Sequence, residues 1–150
     1  MPSGNTVVGG CYCGKVRYET TGPVYGLTLC YCRMCQLVHG APFATYTNIQ
    51  REHLKWIRRD ALTEFSLSKY ATRTACRECH APISMTYHVK PHEVGLCAVT
   101  INEKESAMTL PEVQRHIFVQ EKPAWYTISD DAPQAMGVPE SSKSYMPEEL

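Results

Sequence analysis

The chain has no surplus of charge of either sign. Fifteen acidic residues balance fifteen basic ones over 150 residues, a formal net charge of zero with histidine neutral. A protein that grips a polyanion electrostatically needs a basic excess or a face dense in Lys and Arg, so no nucleic-acid partner is expected. The one local basic cluster, Arg51 to Arg59, is interrupted by Glu52, Leu54, Trp56 and Ile57 and reads as the solvated face of a strand. Long apolar runs are missing too. No stretch approaches the roughly 18 apolar residues that a membrane-spanning helix requires, and the opening Met-Pro-Ser-Gly-Asn-Thr lacks the charged start and apolar centre of a secretory signal. The expectation is a cytoplasmic protein with no membrane partner. Internal repeats are absent, which excludes solenoids and propellers.

What is present is the composition of a globular domain, 43% hydrophobic and 20% charged. The length suits one domain with a core of its own. From Asp130 onward Asp131, Pro133, Gly137, Pro139, Ser141, Ser142 and Pro147 crowd together. The structured domain is therefore expected over residues 5–130, followed by an extended C-terminal tail over 131–150. Runs of β-branched and aromatic residues recur between turn signals at Lys15–Thr20, Val24–Leu29, Pro42–Ile49, Leu54–Ile57, Leu62–Leu67, Ile83–Val89, Val94–Val99 and Val113–Val119. They predict a mainly β protein. Alternation over residues 15–20 puts Val16 and Tyr18 on one face. Only Arg33 to Val38 reads as a helical turn.

The eight cysteines carry the chemistry. In a reducing compartment they point to metal ligation rather than a disulfide framework. Cys11-x-Cys13 and Cys76-x-x-Cys79 together offer four thiolates, the ligand set of a closed, structural zinc that joins the first hairpin to a segment about sixty residues later. Cys30-x-Cys32-x-x-Cys35 supplies three thiolates, which leaves one position open, as in catalytic zinc. Cys30, Cys32 and Cys35 are thus the candidate catalytic cluster, and two zinc ions per chain are expected. A zinc with three thiolates carries formal charge −1 and suits an incoming thiol better than it suits a polarised carbonyl. The alternative is that both clusters are structural and that a histidine closes the second. His39, His53, His80, His88, His92 and His116 are all available, with His39 nearest in sequence. Cys97, in the run Val94 to Val99, reads as a reduced core residue. Arg33, Gln36 and His39 are spaced to share one rim of the open position and to bind a carboxylated small-molecule substrate, Arg33 by a bidentate pair. The competing role for Arg33 is to neutralise its neighbouring thiolates. Phe43, Arg73 and Trp125 are the next candidates.

The motifs Gly9-Gly10-Cys11-x-Cys13-Gly14-x-Val16-x-Tyr18, Cys30-x-Cys32-Arg33-x-Cys35-Gln36 and Arg73-x-x-Cys76-x-x-Cys79 give the chain a close likeness to one family. It resembles the glutathione-dependent formaldehyde-activating enzymes, the family shared with centromere protein V. Further on, His116-Ile117-Phe118-Val119 and Lys122-Pro123-Ala124-Trp125 look like that family's closing strand and tryptophan. The resemblance implies a zinc-binding fold of the β-tent type, with a structural zinc on Cys11, Cys13, Cys76 and Cys79 and a second zinc on Cys30, Cys32 and Cys35. It also implies a carbon–sulfur lyase activity, the condensation of glutathione with formaldehyde to S-(hydroxymethyl)glutathione. Three positions depart from the pattern: Tyr31 stands where many relatives have histidine, His80 where glycine is usual, and Thr100-Ile101-Asn102 where a leucine–aspartate step is common. A zinc-dependent decarboxylase or dehydratase of a small biosynthetic intermediate is the alternative enzyme. A non-catalytic binding module ranks last, because the chain has no long basic extension, and a homodimer is compatible with the sequence.

Overall fold

The β-branched runs and the turn residues between them order the described residues into ten strands and one α-helix. In this computed structural model, which describes residues 6–139, they are β1 (Val7–Gly10), β2 (Arg17–Thr20), β3 (Tyr25–Cys30), α1 (Arg33–His39), β4 (Ala44–Gln50), β5 (Leu54–Arg58), β6 (Leu62–Phe65), β7 (Ala71–Cys76), β8 (Pro82–Tyr87), β9 (Glu93–Cys97) and β10 (Arg115–Ile117). The mainly β expectation holds. Two strands lacked a signal in the sequence. β1 ends in two glycines, and β7, Ala-Thr-Arg-Thr-Ala-Cys, has no large apolar side chain.

The strands form a three-stranded sheet, in the order β1-β2-β5, and a seven-stranded sheet, in the order β10-β3-β4-β9-β8-β7-β6. All pairings are antiparallel except that of β10, which runs parallel to β3 with Ile117 opposite Cys30. Alternation decides which faces meet. Tyr18 and Thr20 of β2 point inward while Arg17 and Glu19 do not. Val7, Val16 and Tyr18 from the small sheet side share one core with Ile49, Ile83, Val94 and Leu96 of the large sheet. Burying each of these large aliphatic side chains contributes about 1.5–3 kcal/mol. The exposed residues of β5, Lys55, Ile57 and Arg58, form the solvated strand face expected of the basic cluster.

Glycine is required at Gly9 because a Cβ there would lie 2.4 Å from the Tyr18 hydroxyl and 2.5 Å from the Thr100 carbonyl. That close crossing is tied by a 2.6 Å hydrogen bond between the Tyr18 and Thr100 hydroxyls. It sets where β1 delivers Cys11.

The segment after Asp130 is not separate from the domain as far as it is described. His116 N–H donates to the Pro133 carbonyl, Ala135 N–H to His116, and Phe118 N–H to Gly137, so residues 133–137 lie hydrogen-bonded beside β10 and the turn after it. The rest of the expected tail, 140–150, and position 5 at the expected domain start lie outside the described residues. Among the described residues no helix is long and apolar enough to cross a membrane.

Candidate metal centres

The first cluster is built by two turns. After β1 the chain reverses through residues 11–16, closed by Cys11 N–H donating to the Val16 carbonyl at 3.0 Å, with Gly14 at φ +82°. The end of β7 and the turn after it carry Cys76 and Cys79, and that turn is closed by His80 N–H on the Cys76 carbonyl at 2.9 Å. The sulfurs of Cys11 and Cys13 lie 3.6 Å apart, as do those of Cys13 and Cys76. A disulfide would need about 2.05 Å, whereas four ligands about 2.3 Å from a central zinc stand about 3.8 Å from one another. The donor set fits zinc. Backbone N–H groups already face the sulfurs: Val16 N–H donates to Cys11 Sγ at 3.3 Å and Cys79 N–H to Cys76 Sγ at 3.4 Å. Burial acts to raise the Cys79 pKa, but donation from the Cys13 and Ala81 N–H groups and from neighbouring thiols lowers it to about 6. The four sulfurs lie within 4.8 Å of one another and could hold a metal ion.

The second cluster sits where β3 passes into α1. Cys30 ends the strand, Cys32 caps the helix by accepting from Cys35 N–H at 3.4 Å, and Cys35 lies in the first turn. A thiolate at this cap takes the place of the hydroxyl or carboxylate that usually satisfies the first helical N–H groups. All three cysteines are buried, at 5%, 1% and 1% exposure, and their sulfurs lie within 4.8 Å of one another. No His, Asp or Glu among the described residues joins them. The histidine-closed alternative therefore finds no support. The nearest candidate, His39, instead places its Nε2 3.4 Å from the Tyr46 hydroxyl.

Arg73 of β7 supplies the charge that three thiolates need. Its Nη1 donates to the Tyr46 hydroxyl at 2.8 Å and its Nη2 to Cys35 Sγ at 3.6 Å, and it is buried. Hydrogen bonds from Cys30 and Cys32 hold the Cys35 thiol well below its ordinary pKa, with burial opposing and the Arg73 guanidinium assisting. These groups line a narrow cleft of about 60 Å³. Its walls are apolar, from Met34, Met85, Tyr87 and Ile117, and it also bears Arg115, Lys90, Glu93, Ser68 and Asn48.

Of the expected rim residues Arg33, Gln36 and His39, none lines this cleft. Gln36 is turned inward, its Nε2 donating to the Tyr31 carbonyl at 2.6 Å and to the Glu121 carbonyl at 2.8 Å. Arg33 does meet Gln36 across one turn, Nη1 to Oε1 at 3.2 Å, but it is solvent-exposed and its N–H is held by Glu121. The cation on the thiolates is Arg73. Of the other candidates, Phe43 packs against Tyr31 and Tyr126, and Trp125 is 76% exposed. Cys97 is buried in the core beside the cluster, as expected. Arg115, Lys90, Glu93 and Tyr46 were not singled out in the sequence. The only hint was the alternation of Arg115, His116 and Ile117.

Comparison with known proteins decides the family. The model of the family described as glutathione-dependent formaldehyde-activating enzyme matches residues 6–121. The chain belongs to the glutathione-dependent formaldehyde-activating family. That match spans both cysteine clusters and β1 to β10. The chain is also similar to the crystal structure of a Rhodobacter sphaeroides protein from a structural-genomics programme, with 22% identity and a TM-score of 0.53, covering 65% of this chain and 93% of that one. At that identity the likeness concerns the fold. No curated protein matches.

Proposed function

We propose that the protein adds a glutathione-like thiol to formaldehyde or a comparably small carbonyl compound at the Cys30, Cys32 and Cys35 cluster, a carbon–sulfur lyase reaction in its reversible sense. The observation that carries this reading is a three-cysteine set lining an open cleft, with a buried cation against it. Family membership supports it. Cys30, Cys32 and Cys35 would hold zinc, which when bound would supply the charge that keeps an incoming thiol as thiolate.

The chain's own residues do the rest. Arg73 offsets the negative charge gathered on the cluster, which otherwise repels a second anion from the floor. Met34, Met85 and Ile117 exclude water from the approach. Arg115 and Lys90 place positive charge on the cleft, and Glu93, 3.2 Å from Lys90, places a carboxylate beside it. A substrate carrying both carboxylate and ammonium groups fits that combination. In the reaction the thiol sulfur forms a bond to the carbonyl carbon, the C=O π pair moves to oxygen, and the thiol proton ends on that oxygen. Neither oxidant nor reductant is needed.

The test is the rate of S-(hydroxymethyl)glutathione formation from glutathione and formaldehyde, measured by NMR exchange against the uncatalysed addition. Acceleration that disappears in Cys32→Ser supports the reading, and no acceleration by metal-loaded protein overturns it. The same positive charges accept a small carboxylic acid, which keeps a decarboxylase or dehydratase as the second reading. Carbon dioxide or water release from such acids, without a thiol, would mark it.

A further inference from the structure

Tyr31 separates two of the three clustered cysteines, and each of its polar groups is tied to a different part of the chain. Its N–H donates to the Ile117 carbonyl at 3.0 Å. Its carbonyl accepts from Gln36 Nε2 at 2.6 Å. Its hydroxyl lies 2.9 Å from His116 Nδ1, and His116 Nε2 in turn lies 2.9 Å from Asp130 Oδ1. Tyr31 and His116 are 0% and 1% exposed. The tyrosine ring is wedged between Phe43, at 5.4 Å between ring centroids, and His116, at 5.6 Å.

The direction of this chain follows from the donor inventory. The hydrogen bond from His116, then that from Ala132 N–H, lowers the Asp130 pKa, and an ionised carboxylate only accepts. The proton therefore sits on Nε2, and in a neutral ring Nδ1 is left as an acceptor for the Tyr31 hydroxyl. Tyr31 thus points its hydroxyl into the core, and it does not line the cleft. Its contribution must come through the backbone. In Cys-x-Cys only one residue lies between two ligands, so the two soft dihedrals of Tyr31 largely set how the Cys30 and Cys32 sulfurs stand relative to each other.

We propose that Tyr31, His116 and Asp130 are positioning residues that hold the Cys30–Cys32 backbone in metal-ligating geometry, linking the segment after β10 to the three-thiolate centre. The proposal rests on that cluster being a metal site. Fixing the sulfurs in advance removes part of the ordering cost that metal binding otherwise meets. Outer partners of a ligand typically change metal affinity by about 10- to 100-fold when removed.

The test is a competitive titration of the full chain with Zn²⁺, reading the dissociation constant of each equivalent, and with Co²⁺, reading its thiolate absorption bands. Tyr31→Phe and Asp130→Ala should each weaken the second equivalent by about 10-fold or more and alter its Co²⁺ bands. The first equivalent, on Cys11, Cys13, Cys76 and Cys79, should be unchanged and serves as the internal sign of a folded chain. The double variant should be no weaker than the weaker single one, and Asp130→Asn, which keeps an acceptor oxygen, should recover most of the affinity. An unchanged second equivalent in both single variants, whatever happens to the melting temperature, overturns the proposal. So do losses that simply add in the double variant. Uptake of only one equivalent by the parent protein would instead sink the metal reading of the cluster, and this inference with it.

Discussion

Arg73 Nη2 lies 3.6 Å from Cys35 Sγ, across 38 residues of sequence. The contact puts a buried cation on a cluster of buried cysteines, and it joins β7 to the start of α1. Because Nη1 of the same guanidinium donates to Tyr46, the two bonds use the planar fork that distinguishes Arg from Lys. Arg73→Met should therefore reduce kcat/KM of the addition reaction by about 10-fold or more, since a charged hydrogen bond contributes about 1.5–3 kcal/mol. Arg73→Lys should restore only part. Steady-state kinetics with metal content measured in parallel decide it, and wild-type kinetics in Arg73→Met would remove Arg73 from the site.

Arg115 lines the cleft and is steadied by Nε donating to the Thr28 hydroxyl at 3.0 Å, whereas Arg33 lies outside the cleft. Arg115→Ala should raise KM for a carboxylated thiol by about 10-fold with little change in kcat, the signature of lost uniform binding. Arg33→Ala should leave KM within about twofold, the scale of a surface substitution. The reverse pattern would return the substrate contact to α1.

The two cysteine clusters differ in the number of sulfurs they offer, four against three. Four thiolates would enclose an ion completely, and three would leave one open to competing ligands. Mild chelation should therefore leave close to one zinc per chain by metal analysis. Simultaneous loss of both ions would show that the clusters do not differ in the way their ligand counts imply.

Cys79 belongs to the turn between β7 and β8, whose Cys76 Sγ lies 3.6 Å from Cys13 Sγ, while Cys32 caps a helix of seven residues. Cys79→Ser should abolish or severely weaken folding, because structural zinc contributes many kcal/mol, on the order of 10 in small zinc domains. Cys32→Ser should remain folded and lose activity. Circular dichroism and thermal melting separate the two, and equal loss of fold would make the second cluster structural as well.

His80 occupies the left-handed region at φ 65° with its side chain exposed. A non-glycine residue there costs about 1–2 kcal/mol, and glycine loses about 0.5–1 kcal/mol more entropy on folding. The balance favours His80→Gly by about 0.5–1 kcal/mol, or about 1–4 °C in Tm for a domain of this size. A fall in Tm would show that the imidazole contributes contacts worth more than the strain.

The candidate metal clusters were legible because close spacing of cysteines is a local property. The meeting of Cys13 with Cys76 across 63 residues depends on the fold, whereas within each pair or triplet one or two intervening residues suffice to bring sulfurs together. The same holds for the alternation of β2, which places Val16 and Tyr18 in the core, and for the short helix after Cys32.

The cleft was not legible, because its lining comes from strands distant in sequence and depends on their register. β7 packs through alanine and threonine and so gave no hydrophobic signal, yet it delivers Arg73 to the floor. Spacing along α1 correctly brings Arg33 and Gln36 together, but only the docking of the turn over Val119–Glu121 turns Gln36 inward to two backbone carbonyls. Residues 133–137 lie beside β10 through backbone hydrogen bonds, with Ala135 and Val138 packed against the core, a placement that composition does not encode. Residue spacing thus determined which atoms can bind metal. Strand register and backbone pairing decided what surrounds them.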